Sequence, residues 1–415
     1  MTKPKVSNSA TTFIFITVVI DMLGIGLVWP IMPKLIEEMT GGPVSNAATV
    51  YGLLVSGYAL MQFLLGPIMG ILSDRFGRRP IILISLAGLG VDYIILALAP
   101  NLTWIVVGRL MAGVLGATVS TSNAFIADVT PKEKRAAAFG MIGAAFGVGF
   151  IFGPLVGGVL GNIDLRYPFY LAAAISLLNV TFGYFVLPES LPLEKRRSIR
   201  WKEANPLSAL LQVRRYRSVA AFIIALFLAG LAQSGLQAIW VLWSGVQLGW
   251  NIADAGLSLA VVGVATVIVQ GGLVRIIVPK LGERRVVFLG YLISAFAFFC
   301  LPFVTASWVL YAGIIIHIIG WGSAQPALQS LMSKAVPEDQ QGLLQGTISS
   351  VGSVGMIIGP IMATQIFSLF TGKLAYLGYS GAWYFVGSIF FLLAMLVIWL
   401  DASRYQKRIA AESGQ

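Results

Sequence analysis

Twelve long runs of apolar residues constrain this 415-residue chain more than any other feature. A helix of about 20 residues, rising about 1.5 Å per residue, crosses the roughly 30 Å of hydrocarbon in a bilayer. Membrane β-strands need only about ten residues and alternate with a period of two, which these runs do not. The sequence therefore predicts an all-α membrane protein with twelve transmembrane helices near residues 12–33, 48–72, 80–100, 102–124, 135–160, 166–188, 218–245, 253–278, 285–304, 307–330, 341–369 and 380–401.

Charged residues make up only 11% of the chain, and the positive ones indicate how it is inserted. Of the 28 Lys and Arg, 23 fall in the two tails or in the even-numbered connections between spans. Lys and Arg accumulate in cytoplasmic loops. We therefore expect a multi-pass protein of the cell inner membrane with both termini in the cytoplasm. The net charge of +11 then reflects this topology, with no nucleic-acid partner. Asp21 interrupts the first run, so we expect a retained helix there instead of a cleaved signal peptide.

The chain contains an internal repeat. Residues 131–154 and 337–360 align at one offset of 206 residues, and "PKLGERRVVFL" (279–289) is a weaker copy of "GILSDRFGRRPIIL" (70–83). The repeat predicts a six-helix bundle over 1–188, a cytoplasmic linker over 189–217 with a short surface helix near 203–213, and a second six-helix bundle over 218–415. The matched pairs are Pro131/Pro337, Gly140/Gly346, Gly149/Gly355, Gly153/Gly359 and Pro154/Pro360.

Three motifs resemble signatures of the major facilitator superfamily. The first, within "GILSDRFGRRPIIL" (70–83), resembles the signature of the loop between the second and third helices. "GRLMAGVLGA" resembles the fourth-helix signature with its buried Arg109, and "GFIFGPLVGG" resembles the fifth-helix signature associated with antiporters. The resemblance implies twelve helices in two related bundles, transport by alternating access, and an inner gate in the loop after span 2. The gate residues are Gly70, Asp74, Arg75, Gly77, Arg78, Arg79 and Asp128, and those of the antiporter signature are Gly149, Gly153, Pro154, Gly157 and Gly158.

Within this superfamily the chain resembles the tetracycline-efflux branch, the drug:H+ antiporters with twelve helices. The segments "DMLGIGLVWPIMP", "SDRFGRRP", "VDYIILA", "PES" and "PALQSLMSKAVPEDQQGLLQG" carry this resemblance in order and spacing. Pumps of that branch have a His on helix 8 and an Asp on helix 9, where this chain has Thr266 and Ser294. The departure puts tetracycline itself in doubt as the substrate.

Ionisable side chains inside the spans are functional candidates, because a charge buried in a bilayer costs at least a few kcal/mol. Asp21 and Asp92 are the two acids deep in the predicted membrane. Low dielectric favours the protonated form of a carboxyl, so each is a candidate proton carrier. Arg109 is the candidate coupling partner. A purely structural alternative is that one of the acids forms a buried ion pair with Arg109, and Arg275 at the end of a span can reach the interface by snorkelling.

Uncharged polar residues mark a candidate substrate cavity. Several share a helix face at a spacing of four, as Gln325 does with Gln329, and His317 can titrate near neutral pH. Some of them are expected only to tie helices together. Trp240 and Trp243 are expected to lie in an interfacial aromatic belt. The candidate cavity residues are Tyr58, Gln62, Asn123, Gln233, Gln237, His317, Trp321, Gln325 and Gln329, with Ser120 on the same helix face as Asn123.

The loop after span 2 places one acid among three arginines. Asp74 can bond to neighbouring helix N-termini and to arginines of the same cluster. The resemblance implies that this loop latches the two halves when the cytoplasmic side is closed, so that it biases a two-state equilibrium without touching substrate. A role in topology alone would explain the arginines but not Asp74 or Gly77.

The motifs together predict efflux of a small lipophilic or cationic organic compound in exchange for H+, by a protein that is not an enzyme and is expected to be monomeric by analogy. One Cys and one His exclude a disulfide framework and a zinc site. We expect no cofactor, and the chain has no phosphate-binding loop. The alternatives are a proton-coupled importer of a metabolite, peptide or siderophore, and a membrane receptor with a transporter fold. Substrate identity, direction of transport and proton stoichiometry remain open.

Overall fold

The computed structural model describes residues 8–116, 118–130, 135–196, 198–199, 219–337 and 340–412. In this part of the chain, twelve helical segments are long and apolar enough to cross a membrane, which confirms the predicted number. The predicted surface helix near 203–213 and most of the predicted linker lie outside the described residues, as does Pro131 of the repeat.

The spans are built from fifteen α-helices in the described residues. Span 1 comprises α1 and α2, and span 4 comprises α5 and α6. Span 8 comprises α10, a π-helical turn at Val269–Leu273, and α11. The helices are α1 (Asn8–Val28), α2 (Met32–Thr40), α3 (Val44–Phe76), α4 (Arg78–Leu98), α5 (Leu102–Leu115), α6 (Thr118–Val129), α7 (Arg135–Ile163), α8 (Tyr167–Val186), α9 (Ala220–Leu248), α10 (Ile252–Ile268), α11 (Val274–Leu281), α12 (Glu283–Cys300), α13 (Ser307–Lys334), α14 (Gln341–Thr371) and α15 (Ala382–Glu412).

A glycine follows the second span of each half of the sequence, at equivalent places in the repeat. The second span was predicted to end near residue 72, but α3 continues to Phe76 and stops at Gly77, whose φ of 107° favours a residue without a Cβ. The equivalent break between α11 and α12 is Gly282, with φ of 78°. Each glycine lets the chain turn sharply into the next helix, so charged residues near the turn come close together.

The described residues form two compact units. One contains the described parts of 1–42, 57–206 and 250–263, and the other those of 43–56, 207–249 and 264–415. Most of the first unit therefore comes from the first half of the sequence and most of the second from the second half. Each unit also takes one helix segment from the other half, either the start of α3 or the start of α10.

Small residues bring α1 and α7 into backbone contact in the first unit. A Cβ added at Gly153 would lie 2.7 Å from Cα of Gly26, and one added at Gly149 would lie 2.8 Å from the backbone of Leu23. Gly157 contacts Leu27 in the same way. Glycines spaced by four residues thus allow the helix backbones to touch, which is the usual means of helix association inside a membrane.

The second unit repeats this contact between α9 and α14. A Cβ at Gly359 would lie 3.0 Å from the carbonyl oxygen of Leu231 and would collide with the Ser234 hydroxyl. That hydroxyl donates a hydrogen bond of 2.9 Å to the carbonyl oxygen of Gly355. Gly355 and Gly359 are the repeat equivalents of Gly149 and Gly153. The sequence repeat is therefore also a repeat of helix packing.

Large apolar side chains cover much of the surface. Phe185 is 79% exposed and Trp308 75% exposed, and many Leu, Ile and Val side chains along the spans are similarly open. Water would make such a surface strongly unfavourable, whereas lipid chains are as apolar as these side chains. The surface fits a multi-pass membrane protein.

We expect Gly153→Leu to destabilise the protein by about 1–3 kcal/mol, because the side chain cannot be placed without separating α1 from α7. Gly143→Leu is the matched control on α7, since a Cβ there meets open space. The thermal unfolding midpoint of the purified protein in detergent measures both effects. Equal shifts for the two variants would contradict the packing role of Gly153.

Candidate functional site

An ion pair lies inside the membrane-spanning part of the first unit. The guanidinium of Arg109 on α5 contacts the carboxylate of Asp92 on α4. The Asp92 side chain is completely buried, while that of Arg109 is 17% exposed. Gly108 leaves the space for this carboxylate, since a Cβ there would lie 2.7 Å from Oδ1 of Asp92. Of the two acids predicted deep in the membrane, Asp92 is thus the one whose charge is compensated.

Asp21 on α1 is the other buried acid, with 7% of its surface exposed. Among the described residues, no Lys or Arg lies within ion-pair distance of its carboxyl. An uncompensated carboxylate in a low-dielectric environment is costly, and the group avoids that cost by binding a proton. Asp21 thus differs from Asp92 in having no cation at ion-pair distance in the described part of the chain.

Two tyrosines interact with Asp21. Tyr58 on α3 interacts electrostatically with both Asp21 and Arg109, and Tyr93 on α4 interacts with Asp21 and Tyr58. Gln62, one turn after Tyr58, donates a hydrogen bond of 3.3 Å to the carbonyl oxygen of Gly116. Tyr58 and Gln62 were predicted to line the cavity, but the sequence analysis did not select Tyr93. Its position directly after Asp92 was the signal that could have identified it.

A second charged cluster, the inner cluster, lies where α3, α4, α6 and α8 end or begin. Arg78 is at its centre: its guanidinium lies 2.6 Å from the carboxylate of Asp74 and 3.1 Å from that of Asp128, and it also contacts the Ser73 hydroxyl. Arg79 bonds to the carbonyl oxygen of Tyr184 and lies over its ring. Arg75 is exposed at the end of α3, and Gly70 has open space around it.

Glu189, which follows α8, completes the inner cluster and was missed by the sequence analysis. Its carboxylate accepts hydrogen bonds from the backbone N–H groups of Arg78 at 2.9 Å and Arg79 at 3.3 Å, and so caps the start of α4. It also accepts one from the N–H of Leu191 at 2.9 Å. A side chain at Gly77 would collide with this carboxylate. The "PES" motif was recognised only as a family resemblance, although its Glu caps a helix.

The second unit has an equivalent cluster with one ion pair reversed in polarity. In the first unit Arg78 at the start of α4 pairs with Asp128 near the end of α6; in the second, Glu283 at the start of α12 lies 2.6 Å from Lys334 at the end of α13. Lys334 lies 206 residues after Asp128, and Glu283 lies 205 residues after Arg78. Both halves therefore join the same two helix ends, with the acid and the base exchanged.

His317 lies on α13 in the interior of the second unit, and 5% of its surface is exposed. Its Nε2 lies 3.0 Å from Oε1 of Gln233 on α9, while Nδ1 has no hydrogen-bond partner among the described residues. The rings of Phe298 and Phe391 lie 5.0 and 6.0 Å from the imidazole. His317 and Gln233 thus form a polar pair beside the aromatic rings of Phe298 and Phe391.

Helix α13 carries a polar stripe of graded exposure. The side chains at positions 317, 321, 325 and 329 share one face of the helix because they are spaced by four residues. His317 is buried, Trp321 and Gln325 are partly buried, and Gln329 is exposed. Exposed amides are unfavourable against lipid, so the end of this face at Gln325 and Gln329 suits contact with water or a ligand.

The other candidate residues occupy less distinctive positions. Gln237 and Asn123 are partly buried, Ser120 and Arg275 are exposed, and Thr266 lies on α10. Ser294 is buried on α12, beside Gly320 of α13. Pro154 and Gly158 pack α7 against α10, where Gly158 approaches Ala253 and Gly256.

The expectation of an interfacial belt for Trp240 and Trp243 is wrong. Both are buried, and the ring of Trp243 packs at 4.7 Å against that of Tyr384 on α15. They lie on the interior face of α9 instead of its lipid face, a difference that hydropathy cannot show.

A polar cavity of about 690 Å³ lies in the first unit among the ends of α2, α7 and α8. Its charged lining residues are Lys34, Glu38, Asp164 and Arg166, which balance one another. Arg166 is fixed by hydrogen bonds to the carbonyl oxygens of Ala97 and Ala99. None of the predicted site residues lines this cavity.

The sequence matches the family profile of the Major Facilitator Superfamily over residues 14–360 and again over 276–414. The chain belongs to this superfamily. Members are transporters and not enzymes, so this Major Facilitator Superfamily protein is a multi-pass membrane transporter of small molecules, and proton coupling is consistent with the family.

Several relatives of this chain are tetracycline resistance proteins. The chain is 37% identical to "Tetracycline resistance protein, class C" of Escherichia coli over 94% of this chain and 96% of that protein. It is 34% identical to the class B protein of Escherichia coli over 87% of this chain and 89% of that protein. Among solved structures, the human organic anion transporter MFSD10 (TETRAN) superposes with a TM-score of 0.71 at 25% identity, covering 96% of this chain and 100% of that one.

We expect removal of one charge from the Asp92–Arg109 pair to destabilise the protein by about 3–5 kcal/mol, because the other charge stays buried without compensation. Asp92→Asn with Arg109→Gln should cost less than the sum of the two single substitutions. Unfolding midpoints in detergent measure this cycle. The partly exposed pair of Arg284 and Asp401, 3.4 Å apart, is the control, with an expected coupling below about 1 kcal/mol. Strict additivity at Asp92 and Arg109 would contradict the pairing.

We expect Glu189→Ala to release the segment after α8, because the cap on α4 is lost. Losing such a cap costs about 1 kcal/mol, so cleavage of this segment by a site-directed protease should accelerate by about fivefold. Glu194→Ala is the control, since Glu194 is exposed in the same segment. An unchanged cleavage rate in Glu189→Ala would contradict the capping role.

Proposed function

We propose that this protein exports a small lipophilic or cationic organic compound from the cell in exchange for protons, by alternating access across the inner membrane. The observation that carries the proposal is the buried, uncompensated carboxyl of Asp21, close to two tyrosines and to the Asp92–Arg109 ion pair. A carrier of protons needs a group that holds a proton while it is buried in the membrane and loses it when water reaches the site, and a carboxyl that is buried without a cation meets this need.

The roles divide among the ionisable residues as follows. Asp21 takes a proton from the outer side and gives it to the inner side. The pairing of Asp92 with Arg109 holds α4 and α5 together.

The substrate site involves polar residues of the second unit. Amides, aromatic rings and a buried histidine, such as Gln233, His317 and Trp321, suit an uncharged planar region of an organic molecule. The tetracycline resistance relatives support an antibiotic-like substrate, and the replacements at Thr266 and Ser294 support one that differs from tetracycline in its polar groups. Gln237, Gln325 and Gln329, the other predicted lining residues of the second unit, extend this surface.

The inner cluster acts as the gate. Its bonds between Arg78, Asp74, Asp128 and Glu189 fasten the ends of α3, α4 and α6 to the segment that follows α8, and a change between inward-facing and outward-facing states requires such contacts to break or to move as one body. In the second half, the ion pair of Glu283 and Lys334 corresponds to that of Arg78 and Asp128, with acid and base exchanged. We further propose that both termini are cytoplasmic, that a linker over 189–217 joins bundles 1–188 and 218–415, and that the transporter acts as a monomer in the bilayer.

Proton release on addition of compounds to the purified protein tests the proposal. A panel of tetracyclines, dyes and quinolones should contain a compound that displaces protons from the wild type, and Asp21→Asn should abolish the release, because an amide cannot carry the proton. Asp164→Asn, at an exposed carboxyl, is the control and should leave it unchanged. Release that persists in Asp21→Asn would exclude Asp21 as the carrier.

Import is the second candidate, favoured by the loss of ionisable side chains at Thr266 and Ser294. Flux in inverted membrane vesicles separates the two. Accumulation of the compound inside the vesicles when their interior is acid indicates export from the cell, whereas proton-driven loss from the vesicle interior indicates import.

A further inference from the structure

Helix α4 carries two consecutive residues that reach two different parts of the ionisable site. Asp92 is directed toward α5, where it pairs with Arg109. Tyr93 is directed toward α1, where a Cβ added at Gly24 would lie 2.8 Å from its hydroxyl oxygen. Neighbouring positions on a helix are about 100° apart, so one helix can address both α1 and α5. The helix that holds the compensated acid therefore also contacts the helix of the uncompensated one.

The hydroxyl of Tyr93 lies beside Gly24, which is about one turn after Asp21 on α1. Asp21 and Gly24 are three residues apart on α1 and so share a face of that helix. Tyr93 is 3% exposed and Asp21 is 7% exposed, so bulk water has little access to either group. The two groups interact electrostatically. A phenol is a hydrogen-bond donor that keeps its own proton near neutral pH.

We propose that Tyr93 is a positioning residue for proton exchange at Asp21, whose carboxylate accepts a hydrogen bond from the Tyr93 hydroxyl whenever the carboxyl has lost its proton. The inference deepens the proposed function and rests on the role of Asp21 in it. In the exchange, the Asp21 carboxyl gives its proton to water on one side and regains one from water on the other. The phenolic proton stays on Tyr93, which only stabilises the charged form.

The surroundings of Asp21 leave few other groups for this task. Helix α7 contacts α1 through Gly149 and Gly153. Helix α8 contributes Asn179, whose Oδ1 lies 3.4 Å from the hydroxyl of Thr17, and Thr17 is one turn before Asp21 on α1. Among the described residues, the titratable groups that interact with Asp21 are Tyr58 on α3 and Tyr93 on α4, while Asp92 on α4 is directed toward Arg109 on α5.

Gly24 is the second part of the arrangement. The absence of a side chain at this position lets the phenol approach α1, and a methyl group would push the hydroxyl away. A Gly24→Ala substitution therefore displaces the donor without removing it, whereas Tyr93→Phe removes the donor and keeps the ring. The two substitutions perturb the same contact by different means.

The protonation of Asp21 can be followed directly by infrared difference spectroscopy of the full-length protein, as the carboxylic-acid C=O band that is lost in Asp21→Asn. We expect Tyr93→Phe to move the midpoint of this titration to higher pH by about one unit, the equivalent of one hydrogen bond to a charged group. Gly24→Ala should move it in the same direction. Tyr291→Phe is the matched control, a buried tyrosine in the second unit, and should leave the midpoint unchanged.

An unchanged midpoint in both Tyr93→Phe and Gly24→Ala overturns the inference, as does an equal shift in Tyr291→Phe. The readout needs no substrate, so it is separate from the test of transport. A wild-type protein that shows the Asp21 titration and its Tyr93 dependence but no proton-coupled flux would contradict the proposed function and leave the role of Tyr93 standing.

Discussion

A polypeptide inside hydrocarbon has no water with which its amide and carbonyl groups can form hydrogen bonds, so each span must satisfy its backbone internally as a helix. The same absence of water removes most of the hydrophobic attraction between helices. Close packing must take its place, and here it depends on glycines that let α1 touch α7 and α9 touch α14. These two contacts fix α1 against α7 and α9 against α14, and the position of Asp21 on α1 depends on the first of them.

Hydropathy predicted the number and approximate place of the spans because lipid imposes one length on every helix. It could not predict the helix ends near charged residues. The second span continues through Ser73 and Asp74 to Phe76, since the helix ends where Gly77 changes the backbone direction and not where polarity begins. It also could not distinguish the interior from the lipid face of a span that is apolar all round, which is why Trp240 and Trp243 were misplaced.

The candidate site was predictable as a set of residues but not as a set of partners. Asp21, Asp92 and Arg109 stand out because charges are rare in the spans. Which of the two acids pairs with Arg109 depends, however, on the packing of α4 against α5. Glu189 escaped notice because an acid in a polar segment is unremarkable until the start of α4 is known to lie beside it. Tyr93 was not selected because a tyrosine in a membrane span is common. Its contact with Gly24 in the structure shows that its hydroxyl lies against α1.

The π-helical turn at Val269–Leu273 interrupts span 8 between α10 and α11. Such a turn holds one residue more than an α-helical turn does, which shifts the angular phase of all residues after it by about 100°. A helical wheel drawn through the whole span therefore assigns the residues from Val274 onward to the wrong side. Positions such as Thr266 and Arg275, which a regular helix would place about 180° apart, differ instead by about 80°. Any alignment of this span with a relative that lacks the turn needs a one-residue gap before its two faces can be compared.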